Sequence, residues 1–177
     1  MISEMSHLLL SQAHSDLCAS VRVLVPADAS TYCQAIAKYQ QAVEKSIKAL
    51  GAALDSSGLM KMEIAHYYRH DVTKMVGAIS TRTMSGTNPS LHAIRSTLNS
   101  QTINMITKLC ALAPSRSKQE VLGARNTEYP FQTSCGEWTC PAKPGSFSFN
   151  EVKNFRKFSQ SLFDRCSRHI SALRRAP

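Results

Sequence analysis

Two pairs of side chains in this chain have spacings that invite a metal-site reading. His66 and His70 stand one helical turn apart, a separation that can hold a divalent metal. A zinc protease built on that spacing carries Glu directly after the first His; here that place is Tyr67, so that chemistry is excluded. A site of two histidines needs further ligands, and local hydrogen bonding to Asp71 is the plainer role for this phrase. Cys135 and Cys140 form the second pair, with no second pair of cysteines following. Structural zinc takes four protein ligands, so two loop thiols are expected and no metal. The chain has no Gly-rich phosphate loop and no Gly-x-Ser-x-Gly elbow. No cofactor is expected.

Charge supplies the broader signal. The formal net charge is +9. Lys153, Arg156, Lys157, Arg165, Arg168, Arg174 and Arg175 face only Glu151 and Asp164 in the last segment, a local surplus of +5 out of +9. Such a concentration favours polyanionic partners: RNA, DNA, nucleotides or an acidic protein. The alternative is a solvated helix face whose cations complement the dipole near its C-terminus.

Helices must position these residues. Ile36, Tyr39, Val43, Ile47, Leu50 and Leu54 recur in steps of three and four, the stripe of an amphipathic helix. Its opposite face carries Lys38, Gln41, Glu44, Lys45 and Lys48, with Glu44 one turn before Lys48. Asp28 or Ser30 can cap the start, and Gly58 lies just past the end. An earlier helix is expected from about Ser3 to Leu24, along Ile2, Met5, Leu9, Ala13, Leu17 and Val21, stopped by Pro26. Val72, Met75, Val76 and Ile79 give a shorter face behind a capping Asp71. Asn88–Pro89 opens a long stripe through Leu91, Ile94, Leu98, Thr102, Met105, Leu109 and Leu112. Ser117 to Glu120 has capping-box spacing for a short turn. Periodicity then lapses over about 123–147, a long irregular loop. Ser148 and Glu151 form a capping box for the last helix, whose stripe is Val152, Phe155, Ser159, Leu162, Cys166, Ile170 and Leu173. The expectation is an all-α, up-and-down bundle of about five main helices in a single domain spanning 1–177.

Several of these phrases resemble the HEPN family. Gln41-Ala42-Val43-Glu44-Lys45-Ser46-Ile47-Lys48-Ala49-Leu50 is similar to the Gln-Ala-x-Glu-Lys-x-x-Lys-Ala-Leu pattern of its central helix. The stretch SQAHSDLCAS, followed by YCQAIAKYQQAVEK, resembles the first two HEPN helices in order and spacing. His70-Asp71-Val72 stands where a His-Asp-Leu-like phrase opens the third helix. Arg125, Glu128, Tyr129 and Pro130 loosely resemble an Arg-Tyr-Pro phrase before the last helix, with an insertion between Arg and Tyr. The resemblance implies a HEPN-like bundle that pairs as a homodimer. It also implies a partner protein such as a small nucleotidyltransferase, in a two-protein system of the toxin–antitoxin kind.

HEPN ribonucleases carry Arg, four to six residues, then His. Histidine can move a 2′-OH proton near neutral pH, and arginine can stabilise charge on the phosphate. Every Arg–His pair in this chain misses that spacing; Arg165-x-x-x-His169 comes nearest, one residue short, and lies on one helix face. The first function is therefore a non-catalytic module binding nucleotide, RNA or a partner protein. Lys153, Arg156, Lys157, Arg165 and Arg168 are its candidate nucleic-acid contacts. The second is a metal-independent endoribonuclease using Arg165 and His169. The third is a bundle that only dimerises, with basic surface for solubility. The resembled fold also brings the third helix near the last loop. Arg69, His70, Asp71, Arg125, Glu128 and Tyr129 could then cluster as a phosphate or ligand site, or as a network tying the loop to the bundle.

No apolar run approaches the roughly 20 residues of a membrane span, and the N-terminal residues do not read as a signal peptide. Reduced cysteines and a cytoplasmic protein are expected. Cys18, Cys33, Cys110 and Cys166 fall within helical patterns as small core residues.

Overall fold

The structure is a computed structural model, described here for residues 4–24, 28–61, 72–85, 88–113 and 121–175. Among these residues the architecture is an all-α bundle. Its helices are α1 (Glu4–Val23), α2 (Tyr32–Ser56), α3 (Val72–Ser85), α4 (Pro89–Thr97), α5 (Ser100–Ala111) and α6 (Phe149–Arg175). A minimal hairpin, β1 (Phe131–Gln132) and β2 (Trp138–Thr139), interrupts the stretch expected to be irregular throughout.

Helix α2 is the centre. It packs chiefly on α1 and α6, with α3 and α5 also against it. Ile36, Tyr39, Val43, Ile47, Leu50 and Leu54, the stripe expected from the sequence, are all fully buried. Asp28 caps the 3-10 turn Ala29–Thr31 that leads into the helix, accepting from the Ser30 amide at 2.9 Å. Gly58, just past the end, takes φ +71, the left-handed conformation glycine adopts without strain.

The charged side of α2 carries the expected i,i+4 pair, and carries it inside the bundle. Glu44 and Lys48 are buried, not solvated, and pair at 2.7 Å. Lys38 and Lys45 converge on Asp16 of α1, at 3.5 and 2.5 Å. A central helix is covered on several sides, so its polar groups must be satisfied by partners rather than water. On α1, Ser6, Ala13 and Ser20 are fully buried. These small side chains at heptad spacing let α1 lie close against α2, while Met5 and Val21, both members of the expected stripe, are exposed. Cys33 and Cys166 are core residues; burial pushes the Cys166 thiol up to about 12. Cys18, expected inside, is exposed beside His14.

The long fourth stripe is two helices. Leu98 leaves helical geometry and Asn99 restarts the chain, its side chain accepting from the Thr102 amide at 2.9 Å. The apolar period continues across the break, which is why the pattern alone reads as one helix. The short turn expected at 117–120 and the phrase His70–Asp71 lie outside the described residues.

Candidate nucleic-acid interface

Helix α6 sorts its residues cleanly by face. Val152, Phe155, Ser159, Leu162, Cys166, Ile170 and Leu173 are buried, as their spacing requires. Lys153, Arg156, Lys157 and Arg168 are exposed and Arg165 is half-buried. Lys153, Arg156, Lys157 and Arg168 line one open groove of about 630 Å³. Asp164 also lines it, and its carboxylate accepts from Gln160 at 3.0 Å. None of the five cations is ion-paired among the described residues. A row of uncommitted cations along one helix face raises the local positive potential.

Two smaller hollows continue this strip where α6 meets the α4–α5 break. One, of about 310 Å³, lies between the start of α5 and Lys157, Phe158, Ser161 and Arg165. The other, of about 460 Å³, lies between Ser96 and Thr97 of α4 and Arg165, Arg168 and His169. Lys157, Arg165 and Arg168 each border two of the three hollows, so the basic surface is continuous. Thr97, Asn99 and Gln101 were not among the residues expected to contribute. The only sequence signal for them was Asn99, a capping residue standing inside a helical stripe.

The pair Arg165 and His169 does share one hollow. His169 Nε2 lies 2.8 Å from Thr97 Oγ1. Burial holds its pKa below the usual histidine value, and the charges of Arg168 and Arg165 push the same way. The ring is therefore neutral at pH 7, with Nε2 engaged by the threonine hydroxyl.

The second expected cluster is divided. Arg69, His70 and Asp71 lie outside the described residues. Arg125 turns toward α6: it donates to the Ser146 carbonyl at 3.0 Å and to Glu151 at 2.7 Å, over the Phe147 ring at 5.1 Å. Burial would raise the Glu151 pKa, but Arg125 and the Ser148 amide and hydroxyl outweigh it and hold the carboxyl below its ordinary range. Glu128 is exposed, and the Glu128 and Tyr129 amides both donate to Asn126 Oδ1. Asn126, unforeseen in the sequence, is fully buried and shapes this turn. Thr127 holds the segment to the end of α5 through the Leu112 carbonyl. Arg125 thus fastens the loop to the bundle. A hollow of about 510 Å³ beside it also has Lys143 on its wall, but there the arginine charge is already met by Glu151.

No cluster of three or more His, Cys, Asp or Glu side chains placed to hold a metal forms among the described residues. No described helix is long and apolar enough to cross a membrane. No family model, curated protein or solved structure matches this chain.

Proposed function

We propose that this protein is a non-catalytic, HEPN-like helical module that binds RNA along the outer face of α6. One observation carries the proposal: Lys153, Arg156, Lys157 and Arg168 lie together on one open face of α6 and none is ion-paired among the described residues. Phosphates spaced along a strand neutralise such a row and release condensed counterions. If all five cations meet phosphates, log affinity for single-stranded RNA falls with log salt at a slope of about −3.5. Raising salt from about 50 to about 200 mM then weakens binding roughly 100-fold. Replacing Lys157 and Arg168 by Gln keeps long side chains on the helix and makes the slope shallower by about 1.4. Titration of a labelled RNA at several salt concentrations tests this. No binding near physiological salt would leave the basic face as ordinary solvated surface.

The resemblance extends the proposal to a cytoplasmic homodimer acting beside a small nucleotidyltransferase, as in toxin–antitoxin systems. Light scattering across micromolar concentrations tests the dimer; a monomer mass throughout would remove it.

A second reading, endoribonuclease activity, draws on Arg165 and His169 sharing one hollow. His169, neutral, would take the 2′-OH proton while the 2′-oxygen attacks phosphorus and the 5′-oxygen leaves, with Arg165 against the phosphate charge. A cleavage gel separates the readings: under this one, Arg165→Ala or His169→Ala abolishes cutting and spares most of the binding. Under the first, the wild type binds without cutting.

A further inference from the structure

The three hollows along α6 differ in chemistry. The widest is edged by cations and suits phosphate. The middle one is built differently. Phe158 and Met105, both partly buried against the core, give it an apolar floor. Gln101, Thr102 and Ser161 give it a polar edge, and Lys157 and Arg165 flank it. Its volume, about 310 Å³, is at the small end of small-ligand sites, with room for one ring system.

Phosphate needs no aromatic floor, whereas a nucleobase has an apolar face that stacks and an edge that hydrogen-bonds. Asn99, on the rim, is committed at both ends, accepting from the Thr102 amide and donating to the Ser96 carbonyl at 3.3 Å. Gln101 is exposed, and its carboxamide makes no hydrogen bond among the described residues. It is therefore available to a base edge, as donor and acceptor together.

We propose that this middle hollow takes the base of an unpaired nucleotide, with Lys157 and Arg165 holding the phosphates on either side. The inference rests on the reading of α6 as an RNA-binding face and goes beyond it by seating a base in the middle hollow, which makes an unpaired strand a requirement. In a duplex the bases stack inward, and none reaches a side pocket without flipping.

The test is a fluorescence-anisotropy titration of the whole chain with a labelled single-stranded RNA and with the same strand annealed to its complement. Inorganic polyphosphate, which has charge and no base, serves as a competitor. The wild type is expected to prefer the single strand by about tenfold, the order of one stacked base. Phe158→Leu keeps an apolar side chain on the core and loses the aromatic face. Gln101→Ala changes an exposed position and guards against a folding defect in the first variant. Each should weaken single-strand binding, Phe158→Leu by about tenfold, while duplex and polyphosphate binding stay at wild-type levels. Equal wild-type affinity for single strand and duplex overturns the inference, as does unchanged single-strand affinity in both variants; the charged face survives either result. Failure of every RNA form to bind overturns both.

Discussion

The contact between Arg125 and Glu151 offers the sharpest energetic test of how the irregular segment is held. The perturbation is a double-mutant cycle of Arg125→Met, which keeps an apolar stem over Phe147, and Glu151→Gln, which keeps a hydrogen-bonding oxygen for the Ser148 cap. The pair is 2.7 Å apart, with side chains 38% and 31% exposed. A well-buried charge-assisted hydrogen bond contributes about 1.5–3 kcal/mol, and a fully solvated ion pair about 0–1. Partial exposure places this one between, so a coupling energy of about 1 kcal/mol is expected. Arg125→Met also removes the bond to the Ser146 carbonyl, bringing its total cost to about 2 kcal/mol. For a chain of this size that is a fall in Tm of roughly 5 °C. Urea denaturation of the wild type, both single variants and the double variant gives the cycle. A coupling below about 0.3 kcal/mol would refute the reasoning, since additivity of that quality marks independent sites.

The same carboxylate predicts an acid effect. Its pKa is lowered on folding, so the stability it contributes is present above the ordinary carboxylate value of 4.5 and is lost as pH falls through the lowered folded value. Denaturation curves from pH 7 downward should show the wild type losing stability faster than Glu151→Gln; parallel curves would contradict this. Ile47 is fully buried in α2, and Ile47→Ala should cost about 2–5 kcal/mol by the same assay. Proton NMR should place the His169 midpoint below the usual 6.5, and Arg168→Gln should raise it by removing a neighbouring charge; a midpoint at or above 6.5 would count against the geometry.

The fold class was legible because each buried stripe repeats at the helical period, and those of α2 and α6 are buried residue for residue. Periodicity reports a face, not what lies against the other side. The pairing of Glu44 with Lys48 was therefore legible, but not its burial, which the central place of α2 imposes. The same blindness hid the break at Asn99, because Leu98 and Thr102 keep step across it. The basic face of α6 was legible from composition alone. The hollow beside it was not, because Gln101 and Met105 meet Phe158 and Ser161 only when α5 and α6 are brought together. Arg125 was marked by the Arg-Tyr-Pro-like phrase, but its partner Glu151 read only as a charge and as half of a capping box.

The placement of α2 also bears on the order of assembly. Its contacts with α1 close over a short connection, whereas its contacts with α6 join segments far apart along the chain, Ser56 ending one and Phe149 beginning the other. Short loops cost less entropy to close, so the α1–α2 hairpin can collapse early while α6 must wait for the intervening chain. Until α6 arrives, part of the α2 surface has no cover. The helix that carries the basic face also covers the core, and a chain in which it has not docked would present apolar surface to its neighbours.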